Sequence, residues 1–187
     1  MSRRTHLGIG LIVTSLCGTA AWLHVRSTRY DEIIAQAASR HRIDFYLAKA
    51  IIYEESWFRP GIRGASGELG LMQITMGAAT DYYTRNSYPA IRPERVLEPQ
   101  LNVEIGCWYL SQSVDRYRDS PDPTMFALLR YNAGEIRADA WLKSAMAGPV
   151  PAGKSPEEFY LSLVDFPKTR EYVRRILARA RSRNYWF

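Results

Sequence analysis

Glu55 is the side chain in this sequence whose type and position best suit it to do chemistry. It lies in Ala50-Ile51-Ile52-Tyr53-Glu54-Glu55-Ser56, downstream of Asp44-Phe45-Tyr46-Leu47-Ala48-Lys49. Asp44 is a good helix N-cap with good helix formers behind it. Leu47, Ala48, Ile51 and Ile52 then recur at helical spacing and mark an apolar stripe. At roughly 100° per residue, Glu55 falls near the middle of that stripe and Glu54 at its edge. A carboxylate aimed inward is expensive unless it is paired, hydrogen-bonded or kept protonated. A carboxyl still protonated near neutral pH is what a general acid requires. Glu54, on the edge, reads as a solvated charge.

The elements that must position Glu55 are helices, with no sustained period-2 alternation anywhere in the chain. Residues 30–40 carry Ile33, Ile34, Ala37 and Ala38, and the helix bearing Glu55 ends near Ser56, where Arg59-Pro60-Gly61 breaks it. Residues 61–70 read as a glycine-rich loop, 76–83 as a helix and 87–99 as a proline-containing linker. Leu101, Ile105, Trp108, Tyr109 and Val114 mark a long helix, and residues 125–129 begin the one that carries Tyr131. Ser155-Pro156-Glu157-Glu158 places Ser at a cap, Pro at N1 and Glu at N3. Pro167 starts the last helix. These features predict a compact all-α domain.

Several short motifs, in order, resemble the SLT-type lytic transglycosylase domain, which shares its fold with goose-type lysozymes. Glu55-Ser56 is similar to the family's catalytic pair at a helix end, and Gly67 with Gly70-Leu71-Met72-Gln73 to the loop that follows. Asn102, Gly106, Tyr109 and Leu110 match its Asn-to-Tyr-Leu helix. Tyr131-Asn132-Ala133-Gly134 matches the Tyr-Asn-Ala-Gly element, and Thr169-Arg170-Glu171-Tyr172-Val173 the final helix. The resemblance covers about residues 30–183 and implies a lysozyme-like, goose-type helical domain. Three positions depart from it: Gly64 stands where many members carry Ser, Thr75 where Met is common, and Lys168 where many place Glu.

The resemblance also implies a reaction. Glycoside cleavage usually uses two carboxylates, yet the matched motifs supply only Glu55. Glu55 would protonate the oxygen between N-acetylmuramic acid and N-acetylglucosamine, with the substrate's N-acetyl group assisting at C1. As a carboxylate it would then take the proton of the muramic C6 hydroxyl, closing a 1,6-anhydro ring. An internal hydroxyl replaces water, and its proximity removes much of the entropic cost. In this reading Tyr131 hydrogen-bonds or orients Glu55. Ser56, Met72, Gln73, Asn132 and Tyr172 are the candidate substrate-binding residues, although capping suits Ser56, core packing suits Met72 and Tyr172, and a turn suits Asn132. The partner is peptidoglycan glycan, and the resemblance implies no cofactor, metal or nucleic acid.

Composition agrees with a single enzyme-sized domain. The 187 residues are 47% hydrophobic and 24% charged with a net charge of +6, which suits an anionic polymer or a membrane surface. The densest basic run, Arg174, Arg175, Arg179, Arg181 and Arg183, reads as a solvated face of the last helix. His6, His24 and His41 stand apart, so no cluster has metal-ligand spacing. Cys107 reads as a small core residue; Cys17 lies in the N-terminal segment. There, Arg3-Arg4 precede an uncharged run, 7–23, with small residues near Ala20 and Ala21. Residues 1–26 are therefore expected to be an export signal or a membrane anchor, and 27–187 the catalytic domain of a periplasmic or envelope protein. Two rivals remain: a lysozyme-type hydrolase, which needs a base to hold water, a role that the spacing of neither nearby acid, Glu68 or Asp81, demands, and a wall-binding accessory module of a secretion or conjugation machine.

Overall fold

The computed structural model describes residues 24–183; most of the expected 1–26 segment, Cys17 included, lies outside them. A helical turn at 24–28 leads into α1 (Asp31–His41), α2 (Phe45–Ser56), α3 (Met76–Arg85) and the single-turn α4 (Pro93–Val96). Then follow α5 (Pro99–Arg116), α6 (Pro123–Ala133), α7 (Glu135–Ala145), α8 (Pro156–Ser162) and α9 (Pro167–Ser182). Among the described residues there is no strand, only isolated bridges of Leu69 with Arg63 and Ile74, and no helix is long and apolar enough to cross a membrane.

Helix α2 is the axis of the site. Its start is set by Asp44, whose carboxylate accepts the Leu47 N–H at 2.9 Å. Its apolar stripe faces α1 and α9, and Ala48, Ile51 and Ile52 are wholly buried. Each isoleucine so buried contributes about 1.5–3 kcal/mol. Lys49 is buried too, paired with Asp31 of α1 at 2.5 Å. The helix ends where Trp57 and Phe58 both turn left-handed, at φ 51° and 58°. Bulky residues resist that conformation at roughly 1–2 kcal/mol each. Ring contacts oppose the cost: Tyr53 lies edge-on to Trp57 and Phe58 at 6.5 and 6.2 Å, and Phe58 is buried. Arg26 stacks 4.3 Å above Trp57 while its Nε donates to the Trp57 carbonyl at 2.8 Å.

Helix α5 holds the loop that follows. It packs against α1, α3, α4 and α6, and from it Asn102 reaches three backbone groups. Its Nδ2 donates to the carbonyls of Leu69 and Val96 at 2.7 and 2.8 Å, and its Oδ1 accepts the Met72 N–H at 2.8 Å. One wholly buried amide thus ties the loop, α4 and α5 together. Gly106, one turn further on, lets Met72 lie flat on α5, because a Cβ there would sit 2.3 Å from the Met72 sulfur.

Most expected elements are present, including the reciprocal capping box of Ser155 and Glu158 at α8 and the start of α9 at Pro167. Two differ. The expected linker 87–99 contains α4, nucleated by Pro93 at its first turn. Helix α7 was not anticipated, because its buried face is only Ala138, Trp141 and Ala145 while Ile136 points to solvent. We expect Asn102→Ala to lower stability by about 3–5 kcal/mol, since it strands three buried backbone groups; urea denaturation followed by circular dichroism measures this.

Candidate active site

The last turn of α2 brings Glu55 against α9, where the Tyr172 hydroxyl donates to its Oε1 at 2.5 Å. Burial pushes the Glu55 carboxyl up to about 7 despite that hydrogen bond, and the negative charges of Glu68 and Glu54 add to the rise. The Tyr172 and Tyr131 phenols are both pushed well above their ordinary value, by burial first and by the Glu55 charge second. Both therefore remain neutral donors. The second oxygen of Glu55 has no protein hydrogen-bond partner and keeps contact with solvent.

Tyr131 does not fill its expected place. Its hydroxyl donates to the Met72 carbonyl at 2.7 Å instead of Glu55, and its ring meets Tyr109 edge-on at 5.7 Å. It fastens the loop to α6 and acts on Glu55 only through space. Tyr172 holds the acid directly, in place of the substrate-binding or packing role expected of it. The two tyrosines share a sequence signal, an aromatic near a helix end inside a motif, and nothing in spacing separates their roles.

The other candidates divide by what their polar atoms already do. Ser56 is 1% exposed and donates to the Ile52 carbonyl at 3.0 Å. Met72 is completely buried. Neither has surface to offer a sugar, so both expectations are corrected: Ser56 closes the helix end and Met72 is core. Gln73, at φ 48°, uses its Nε2 on the Gly70 and Ile62 carbonyls at 2.8 and 3.4 Å, which leaves its Oε1 as the free acceptor. Asn132 is exposed, and its Oδ1 accepts from Thr169 at 2.7 Å, joining the end of α6 to α9.

The charges around the acid differ from expectation. Glu54 is not solvated. Its side chain is 8% exposed and is clamped by Arg175 at 2.8 Å and Arg179 at 3.3 Å, while Arg179 also lies 3.7 Å above the Tyr53 ring. The basic run of α9 is thus partly consumed in docking α9 onto α2. Sequence reasoning missed the clamp because the two sides are more than a hundred residues apart.

Two departures have local explanations. Thr75 caps α3, its Oγ1 accepting the Ala78 N–H at 3.2 Å. At Gly64 a Cβ would meet Glu68 Oε2 at 2.3 Å and Gln73 Oε1 at 2.7 Å. The missing side chain is the room those two groups occupy, with Glu68 further held by the Ser66 N–H at 3.0 Å.

Two predictions follow from the carboxyl of Glu55. Raised from 4.5 to about 7, it adds stability that is complete below about pH 4.5 and lost as pH climbs through 7. The difference amounts to about 3 kcal/mol. Glu55→Gln, which keeps an acceptor for Tyr172, should therefore stabilise the protein at pH 8 and have little effect at pH 4, as thermal melts at the two values will show. Tyr172→Phe removes the hydrogen bond that favours the carboxylate, so the basic limb of the pH–rate profile should move upward. The rate should fall about ten- to a hundredfold as the acid loses its orientation.

Similarity to known proteins agrees with this geometry. Residues 32–150 match the family model described as Transglycosylase SLT domain. The soluble lytic murein transglycosylase of Salmonella typhimurium is 31% identical over 150 residues, 80% of this chain and 22% of the relative. The membrane-bound lytic murein transglycosylase F of Stutzerimonas stutzeri is 33% identical over 118 residues, 62% of this chain and 22% of that protein. The chain therefore spans about a fifth of the length of the curated relatives it matches. Among solved structures, the 70 kDa soluble lytic transglycosylase of Escherichia coli superposes with a TM-score of 0.70 at 30% identity, covering 81% of this chain and 23% of that one. A complex of the 70 kDa enzyme with bulgecin A gives 0.71 at 27% identity, covering 85% and 24%. The fold is the all-α, lysozyme-like one expected.

Proposed function

The chain belongs to the transglycosylase SLT domain family, and from that premise we propose that it is a lytic murein transglycosylase, a lyase acting on peptidoglycan glycan strands. The observation that carries this reading is the buried Glu55 carboxyl, bonded to a neutral Tyr172 and pushed up to about 7. Near neutral pH such a group exists in both forms, as a residue that serves first as acid and then as base must.

Glu55 protonates the glycosidic oxygen between N-acetylmuramic acid and N-acetylglucosamine, and the bond from that oxygen to C1 breaks as oxocarbenium character develops. The substrate's N-acetyl group stabilises C1. The Glu55 carboxylate then takes the proton of the muramic C6 hydroxyl as its oxygen bonds to C1, which yields the 1,6-anhydro product and restores the acid. Tyr172 orients Glu55, and Tyr131 positions the Met72 segment of the loop beside it. Gln73, through its Oε1, and Asn132 are the substrate-facing polar groups. The protein works outside the cytoplasm, in the periplasm or envelope, with residues 1–26 as its export signal or anchor.

A hydrolytic reading has one observation in its favour. Glu68 is near enough for its charge to act on Glu55, and a second carboxylate is what activation of water needs. Mass spectrometry of digested peptidoglycan separates the two. Fragments ending in 1,6-anhydromuramic acid, reduced at least about a hundredfold by Glu55→Gln, are the expected result. Reducing ends would make water the nucleophile and Glu68 its base, and binding without any cleavage would favour the wall-binding module.

A further inference from the structure

The segment before α1 and the residues just after α2 form a cleft of about 330 Å³, lined by Arg26, Arg29 and Arg59 with Val25, Tyr30 and Phe58. Three guanidiniums share one concavity, and no acid is among its lining residues. Of the nearest acids in sequence, Asp31 pairs with Lys49 at 2.5 Å and Glu32 accepts from Gln36 at 3.3 Å. Arg29 and Arg59 are exposed and make no ion pair among the described residues. The crowding is felt at Arg26, whose guanidinium is held below its ordinary value by burial first and by the Arg59 charge second. Like charges gathered in this way repel one another, and a bound anion would relieve them. Each is also held in place. Arg26 donates to the Trp57 carbonyl and stacks on its ring, Arg59 donates to the Ser56 carbonyl at 3.1 Å, and Arg29 lies 5.6 Å from the Tyr30 ring centre.

The surroundings of the cleft are apolar. Val25 and Trp57, the ring on which Arg26 stacks, are both exposed, and Val25 stands two residues after Leu23, the end of the uncharged run 7–23. We propose that the cleft seats the phosphate of an anionic phospholipid, so that the folded domain itself docks on the surface of an anionic bilayer. Guanidiniums match phosphate oxygens with paired N–H donors. Cations clustered beside an apolar segment are drawn to anionic headgroups, and an exposed tryptophan suits the interface, its ring apolar and its N–H polar. The continuity of the cleft with the apolar run favours a lipid over a free anion. The assignment is independent of the reaction at Glu55.

The test measures partition of the full chain onto vesicles of phosphatidylcholine alone and of phosphatidylcholine with phosphatidylglycerol. The readout is the ratio of the two partition coefficients, to which the apolar run and Arg3-Arg4 contribute alike in every variant. The wild type should prefer the anionic vesicles, less so as salt is raised. Arg29→Gln with Arg59→Gln should lower the ratio about 25-fold, roughly fivefold per guanidinium, whereas Arg29→Lys with Arg59→Lys should keep most of it. Arg118→Gln with Lys154→Gln removes equal charge from exposed positions outside the cleft and should leave the ratio within about twofold. Arg26 stays unchanged because it holds Trp57, and circular dichroism melts confirm that the variants are folded. Equal partition of the wild type onto both vesicles, or an equal loss in the remote variant, overturns the site. Displacement from anionic vesicles by inorganic phosphate at constant ionic strength would make the cleft a free-anion site. The same loss of binding to lipid-free peptidoglycan sacculi would give it to a wall polymer. Either result overturns the bilayer assignment.

Discussion

The constraint on which the rest of this molecule depends is the burial of a carboxyl at the end of α2. Glu54 and Glu55 are adjacent in sequence and lie under the same helix, yet the fold treats them in opposite ways. Glu54 is matched by two guanidiniums at 8% exposure. Glu55 receives only a neutral phenol, so its charged form is the costly one. Helix α9 supplies both answers from one face, Tyr172 for the acid and Arg175 with Arg179 for its neighbour. The clamp on Glu54 thus holds the helix that holds Glu55. A cation nearer Glu55 would relieve the burial and remove the proton the chemistry uses.

The opposite wall is built from backbone. The loop 62–74 carries Gly67, Gly70 and Gln73 at positive φ and no regular element of its own, so its shape must come from outside. Asn102 and Tyr131 provide it by capturing the backbone of Leu69 and Met72, and the Leu69–Ile74 bridge closes the turn. The buried Met72 side chain presses the loop onto α5 at Gly106. A loop whose backbone is held by buried hydrogen bonds is a sound basis for pre-organisation, because little has to move when charge develops.

How much of this was legible in the sequence follows from the range of each interaction. Helix starts were readable because caps are local: Asp44, Ser155 and Pro167 signal within one turn. The inward aim of Glu55 was readable because helical periodicity is local too. The partner of Glu55 was not, since Tyr131 and Tyr172 lie in similar contexts and only tertiary packing decides which hydroxyl reaches the acid. The solvated reading of Glu54 failed for the same reason: an edge position on one helix says nothing about a second helix laid against it. Helix α7 escaped because three small or aromatic buried positions make a weak stripe beside an exposed isoleucine.

The motif residues also show why membership in a pattern is a poor guide to contact with substrate. Asn102, Ser56 and Met72 are specified as tightly as any residue in the chain, yet their polar or apolar surfaces are wholly engaged in holding backbone and core. A hydrogen-bonding group can serve a ligand only with the donors and acceptors the fold has left unused. By that measure the exposed Asn132 and Lys168 and the partly engaged Gln73 retain capacity, while Tyr172 commits its one hydroxyl donor to Glu55. Sequence departures can be sorted in the same way. Thr75 is absorbed by a helix cap and Gly64 by the space that Glu68 and Gln73 fill. Lys168 has no structural duty of this kind: it is exposed, at the start of α9, and makes no ion pair among the described residues.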